Sequence, residues 1–231
     1  MVEPVLWLGG WASGLECWRS ELEQLYPHRE HRFLDAHRVL AQPELLPAEA
    51  ARLPAGGCLA AWSLGSLLLH RALADGLHPA CRLLSISPVF SFCRTGGPWP
   101  RSAVRRMARR IAGERETVLA EFLTLVLGNL DATHKSRGDA WTMQAAAYSE
   151  DSLEKGLEHL AAETVDPMEL PDNARHVFLA SPLDPLAPAW QTELAGKRRV
   201  AYPHGHVPFL DYPETVAPLF LDMDPSAGAL T

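Results

Sequence analysis

The sequence predicts an α/β fold, a mostly parallel sheet with helices on both faces and a helical insertion, and three observations carry that prediction. Short apolar runs alternate with helical spacings in the order βαβαβαβ from residue 5 to about residue 86, the pattern of parallel strands joined by crossover helices. One of these joints, Cys58 to Leu69, reads as a buried strand, a sharp corner at Ser63 and a helix whose close approach is kept by Gly65. From about residue 90 to residue 169 the strand signal stops and the apolar spacing is helical throughout. The expected division is a core of residues 1–89 and 170–231, interrupted by a helical cap of residues 90–169.

Val5-Leu6-Trp7-Leu8 is a continuous apolar run stopped by Gly9-Gly10, as expected of a strand buried on both faces. Between Glu16 and Leu25, the residues Trp18, Leu22 and Leu25 recur at helical spacing with acids between them. Arg32 to Asp35 reads as a short second strand, and Pro47 to Leu53 as a short helix with proline in its first turn. The third strand runs through Ser63 into a helix from Gly65 to Ala74, ended near Asp75-Gly76. Arg82 to Ile86 supplies a fourth strand leading into Ser87-Pro88. In the insertion three apolar sets keep helical spacing: Val104, Met107, Ala108 and Ile111; Val118, Phe122, Leu125 and Val126; and Leu153, Leu157 and Leu160. Met107, Phe122 and Leu123 are expected in the core of the cap rather than in a pocket. The alternation resumes with a strand over His176–Ala180, a helix from Ala187 to Leu194 and a strand over Arg199–Tyr202. A last helix follows from about Pro213 to Asp222, then a small polar tail from Pro225.

Composition narrows the function classes. With 231 residues, 47% hydrophobic and 21% charged, the chain is long enough for one sizeable core. No apolar run approaches the roughly 18 residues needed to cross a bilayer, and Met1-Val2-Glu3-Pro4 lacks the basic start of a signal peptide, so a cytoplasmic protein is expected. The four cysteines form no C-x-x-C pair, which argues against disulfides and a zinc site. A net charge of -7 argues against general nucleic-acid binding, which depends on neutralising phosphates.

A serine at a strand-to-helix corner stands at the carboxyl edge of the sheet, beside the first amides of the new helix. To attack an acyl carbon it needs a base for its proton, a carboxylate that orients the base, and donors for the oxyanion. Asp184 follows the His176–Ala180 strand and His206 follows the next one, so the order is Ser63, Asp184, His206, that of α/β-hydrolases. Gly9-Gly10-Trp11 follows the first strand, which makes the amides of Trp11 and Leu64 the candidate oxyanion donors. Taken singly, these residues have plainer explanations. Ser63 suits a helix N-cap, and Asp184 suits a turn before Pro185, with Asp211 and Asp166 as weaker substitutes. His204 and His206 suit a metal pair, although no third ligand is spaced to complete it. None of these explains the shared order. The chemistry expected is hydrolysis of a carboxylic ester, with Ser63 as nucleophile, His206 as base and Asp184 as its orienter, and it calls for no metal and no cofactor.

The segments Trp62-Ser63-Leu64-Gly65, Gly10-Trp11, Ser87-Pro88, Leu183-Asp184 with Pro188, and Gly205-His206-Val207-Pro208-Phe209 resemble the pimeloyl-acyl-carrier-protein methyl ester carboxylesterases of biotin synthesis. Within the insertion, Glu116-Thr117-Val118, Phe122-Leu123, Gly156-Leu157-Glu158 and Thr164-Val165-Asp166 are similar too. The resemblance spans about Val5 to Leu219. It implies the α/β-hydrolase fold, a carrier-linked methyl ester as substrate and an acidic acyl carrier protein as partner. The chain departs from the family at Gly9, where the relatives carry histidine, and at Ala61, where they carry glycine. It also shows no counterpart of the N-terminal antiparallel strands of the larger relatives. The same machinery serves a generic short-chain esterase or a thioesterase. A non-catalytic binding protein on this fold would be marked by loss of a triad residue, and none is lost.

Charge is unevenly spread. Arg94, Arg101, Arg105, Arg106, Arg109, Arg110 and Arg115 stand against the single acid Glu114, a local charge of +6 in an acidic chain. On a helix, Val104, Met107, Ala108 and Ile111 share one face, while Arg105, Arg106, Arg109 and Arg110 fall away from it. Those four arginines are the candidate docking residues for a carrier protein. The alternatives are a merely solvated basic face and, less in keeping with the acidic remainder, nucleic acid or an anionic membrane.

Overall fold

The computed structural model describes residues 3–94, 97–127, 135–171, 175–187, 194–202 and 205–211. Six strands, β1 (Pro4–Leu8), β2 (Glu30–Leu34), β3 (Cys58–Trp62), β4 (Arg82–Ile86), β5 (His176–Ala180) and β6 (Arg199–Ala201), form one sheet in the order β2-β1-β3-β4-β5-β6. Every pairing is parallel. The continuous apolar runs of β1, β3, β4 and β5 are buried along their whole length, whereas the polar ends of β2 and β6 lie at the sheet's edges. From β1 the chain crosses to β2 on one side and then returns to β3 on the other. The switch point therefore lies between the carboxyl ends of β1 and β3, where open parallel sheets form their ligand crevice. Gly9 and Ser63 sit at those two ends.

A 3-10 turn, Glu16–Trp18, opens the first covering helix α1 (Arg19–Leu25). Asp35, expected at the end of a strand, instead caps α2 (Ala36–Ala41), its carboxylate accepting from the amides of His37 and Arg38. The helices α3 (Leu45–Ala51) and α4 (Leu64–Ala74) follow, the second starting directly after Ser63. Between β4 and β5 come α5 (Arg101–Leu127), kinked at Glu114, then α6 (Lys135–Ala146) and α7 (Glu150–Ala162). Of these, α6 was not foreseen. A short helix α8 (Pro208–Asp211) closes the described chain. Residues 188–193 of the helix expected over Ala187–Leu194, the helix expected over Pro213–Asp222, the tail from Pro225, and His204 fall outside the described residues.

The helical segment leaves and rejoins the sheet at one place. Ser91 and Thr164 form an antiparallel bridge, Val165 N–H donates to Phe90 O at 2.8 Å, and Arg71 of α4 pairs with the Glu163 carboxylate. On the other side of the segment, Trp141 of α6 joins Trp18, Trp62 and Phe209 in a buried aromatic cluster with ring centroids 5.2 to 5.8 Å apart. Edge-to-face packing of such large rings stabilises by both area and quadrupole alignment. It also fixes the end of β3 against α6 and α8. No helix among the described residues is long and apolar enough to cross a membrane.

Candidate active site

Ser63 has φ 54 and ψ −117, a conformation that a residue with a Cβ rarely adopts and that turns the chain from β3 into α4 in a single step. Four hydrogen bonds hold the corner. Ser63 N–H donates to Ile86 O at 3.1 Å, while Ser63 O accepts from Ser66 N–H at 2.9 Å, from Leu67 N–H at 3.2 Å and from the Ser66 hydroxyl at 2.6 Å. Gly65 lets the helix start this close to β1, since a Cβ there would lie 2.4 Å from Gly9 O and 2.7 Å from Leu8 O.

The structure brings Ser63, Asp184 and His206 together. His206 Nε2 lies 2.9 Å from Ser63 Oγ, and His206 Nδ1 lies 2.7 Å from Asp184 Oδ2. All three residues are buried. The second carboxylate oxygen of Asp184 accepts from Leu186 N–H at 2.8 Å and Ala187 N–H at 3.2 Å, so two main-chain amides fix the carboxylate in place. It in turn requires the proton of His206 to sit on Nδ1, which leaves the Nε2 lone pair facing the serine. Sequence reasoning missed the groups that hold His206 itself. Trp62 Nε1–H and Ser87 Oγ–H both donate to His206 O at 2.9 Å, and Tyr202 OH is bonded to Gly205 O. The signal for two of them was present, in Trp62 beside the corner and in Ser87-Pro88 after β4.

The loop after β1 passes directly over the corner, so that a Cβ on Gly10 would lie 3.3 Å from Ser63 Cβ. Trp11 N–H and Leu64 N–H, the expected oxyanion donors, make no hydrogen bond among the described residues; Leu64 opens α4, where no carbonyl lies one turn back to receive its amide. Around Ser63 lies a narrow apolar cavity of about 20 Å³, lined by Trp11, Phe92, Trp99, Val104, Met107, Phe122, Leu157, Leu160 and Leu186. Met107 and Phe122 pack against the core, as expected, and also line this space. They project from α5 toward the serine, while Leu123 is buried as expected. Among the described residues no charged side chain lines this space. A larger hollow of about 660 Å³, between α2, α3, α4 and α7, contains none of the three residues.

Of the four candidate docking arginines, all on α5, Arg105, Arg106 and Arg109 are exposed and make no ion pair among the described residues. Arg110 departs from the expectation of a solvent-facing charge. It is half-buried and held by Glu114 and by both carboxylate oxygens of Glu121, which meets it from beyond the kink. These partners push its pKa further up. Among the described residues no group of three or more His, Cys, Asp or Glu side chains is placed to hold a metal ion.

No protein-family model matches the sequence, and no curated protein matches it. Solved structures do resemble it. An esterase from Exiguobacterium antarcticum superposes with a TM-score of 0.78 over 95% of this chain and 91% of that one, at 15% identity. A bromoperoxidase from Bacillus anthracis gives 0.73 over 96% and 92% at 13% identity. An enol-lactonase from Burkholderia xenovorans LB400 gives 0.68 over 96% and 92% at 15% identity. Three differently named activities on one architecture mean that the likeness carries the fold and not the reaction. With its parallel sheet and its serine on the β3–α4 corner, the chain has the α/β-hydrolase fold.

Proposed function

We propose that the chain is a serine carboxylesterase. The observation that supports it most is the unbroken line from Asp184 Oδ2 through His206 to Ser63 Oγ, at 2.7 and 2.9 Å, ending on a strained corner. In this reading His206 Nε2 takes the Ser63 proton as Oγ bonds to the ester carbon. The carbonyl oxygen gains the electron pair and is held by the amides of Trp11 and Leu64. The oxyanion then collapses, the C–O bond to the alcohol breaks, and His206 returns the proton to the leaving oxygen. Water repeats the sequence on the acyl-enzyme and frees the carboxylic acid. The helical segment over Ser63 acts as a cap whose apolar lining receives an uncharged acyl chain.

The finer reading is the methyl ester of a pimeloyl chain carried on an acyl carrier protein, as in biotin synthesis. It is favoured by the sequence motifs, by the uncharged lining and by the exposed Arg105, Arg106 and Arg109, which suit an acidic carrier. The small cavity favours a second reading, a short-chain esterase, because about 20 Å³ holds little more than one water and a longer acyl chain has to displace Met107 or Phe122. Single and double variants at Ser63 and His206 test the common ground. Ser63→Ala and His206→Ala are each expected to lower ester kcat by roughly 10⁴- to 10⁶-fold, and the double variant to lose little more, since such groups act as a unit. Near-normal turnover by Ser63→Ala would remove the assignment.

A further inference from the structure

The loop that carries Trp11 is strained and is held from outside itself. Ala12 and Leu15 have φ 57 and 64, the left-handed region that side chains with a Cβ avoid. Both polar groups of the Ala12 main chain are taken by side chains from distant elements, the N–H by His37 Nε2 at 3.0 Å and the carbonyl by Trp141 Nε1–H at 2.8 Å. Trp11 Nε1–H donates to Leu153 O at 2.9 Å, and Gly14 N–H to Gln144 Oε1 at 3.2 Å. Trp11 N–H itself makes no hydrogen bond among the described residues.

His37 is the joint of the clamp. Its Nε2 faces an N–H donor and must accept, while its Nδ1 lies 2.9 Å from Ser152 O and must donate. Those partners specify the neutral ring with its proton on Nδ1. A second proton on Nε2 would set N–H against N–H in a buried place and break the bond to Ala12. The neighbours are consistent with a neutral ring. Asp35, at the cap of the same helix, attracts a proton toward it, but the Asp35 carboxylate is itself occupied by the Tyr148 hydroxyl, and the Tyr148 ring packs on His37 with centroids 4.6 Å apart. From α7 the ring meets Ser152 O and Gly156, where a Cβ would lie 2.9 Å from His37 Cε1 and 2.7 Å from Trp11 Cδ1. Burial, the largest influence, holds the imidazole below the ordinary histidine range against the pull of Asp35 and Ser152 O.

We propose that His37 is a positioning residue for catalysis: in its neutral form it fixes the Ala12 peptide and so aims the Trp11 amide at the oxyanion, and its protonation releases that donor. This rests on the esterase reading. It adds a proton to the acid limb beyond that of His206, because both rings must then be neutral for turnover. The test is the pH dependence of kcat for the full chain with an ester slow enough that chemistry limits the rate. Wild type is compared with His37→Gln and His37→Ala, and tryptophan fluorescence follows folding over the same range. Glutamine offers Ala12 N–H an acceptor and takes up no proton. His37→Gln is expected to keep kcat at pH 8 within about threefold and to fall with one proton where the wild type steepens to two, whereas His37→Ala loses about 10- to 100-fold in kcat at pH 8 with KM little changed. Equal steepness in wild type and His37→Gln, or full kcat in His37→Ala, overturns the proposal. If His37→Ala does not fold, the limb of His37→Gln decides. Full turnover by Ser63→Ala would overturn the esterase reading instead, so the two failures are distinct.

Discussion

At the scale of single residues, the cost of holding Ser63 in its unusual conformation, on the order of 1–3 kcal/mol, has to be met by bonds that exist only there. Ser66 is the residue that meets it. Its hydroxyl donates to Ser63 O and accepts from Val89 N–H at 2.8 Å, joining the corner to the chain after β4. Ser66→Ala leaves a buried N–H without a partner, so urea unfolding is expected to show a loss of about 1–3 kcal/mol, and kcat to fall with it. Wild-type stability and turnover in that variant would mean that the corner is held by other means. Gly65→Ala is expected to be worse, because its Cβ would press on main-chain oxygens of β1 that cannot swing aside. A soluble, fully active Gly65→Ala would contradict the packing described. Ser63, Asp184 and His206 were legible because each is a reactive type placed just past a strand, in a meaningful order. His37 and Ser66 were not, because they act by bonding another residue's main chain, and such bonds leave no spacing in a sequence.

Between elements, α4, β4 and β5 are joined by a buried relay. His176 Nε2 and His70 Nε2 each lie 2.9 Å from Ser85 Oγ, and His70 Nδ1 lies 2.9 Å from Val89 O. Since Val89 O accepts only, His70 carries its proton on Nδ1, the serine donates to His70 Nε2, and His176 donates to the serine. Both rings are neutral. Burial lowers His70 to about 4 and His176 well below 6.5. The unfolded chain then binds protons that the folded chain refuses, so the stabilisation is complete above about pH 6.5 and is lost as pH falls from there toward 4. For His70 the loss by pH 4 is on the order of 3 kcal/mol. Unfolding curves of the wild type are expected to shift over that window more than those of His70→Gln; parallel pH dependence in both would exclude the relay as the cause. The strands were legible as elements because apolar runs bounded by glycine, proline or polar corners leave few alternatives. The helix α2 was not, since six residues hold barely one apolar turn and Asp35 reads equally well as a strand end. Nor was α6, whose apolar residues form no continuous stripe around Trp141.

For the whole molecule, the reversal of strand order between β1 and β3 explains why the corner serine, the Trp11 loop and the helical segment meet at one edge of the sheet. The alternation in the sequence announced a parallel sheet. It did not announce how tightly α5 and α7 close over Ser63, because the same helical spacing places Met107 and Phe122 equally well in a helical core or against a cavity. Charge is also arranged at this scale, with Arg105, Arg106 and Arg109 exposed on an otherwise acidic chain. If they steer an acidic carrier, turnover of a carrier-linked ester should fall as added salt shortens the screening length below about 8 Å, while turnover of a small neutral ester barely changes. Reversing the three to glutamate should produce the same selective loss at low salt, and an equal effect on both substrates would remove the docking role.

A serine carboxylesterase requires Ser63 to be an activated nucleophile, which covalent labelling of the native chain by a fluorophosphonate tests, with the modified peptide located by mass spectrometry. One adduct is expected, on Ser63, formed rapidly in the wild type, slowed by roughly 10³-fold or more in His206→Ala and absent from Ser63→Ala. A wild-type chain that stays unlabelled while folded, or one labelled on another residue with Ser63 untouched, would contradict the esterase reading.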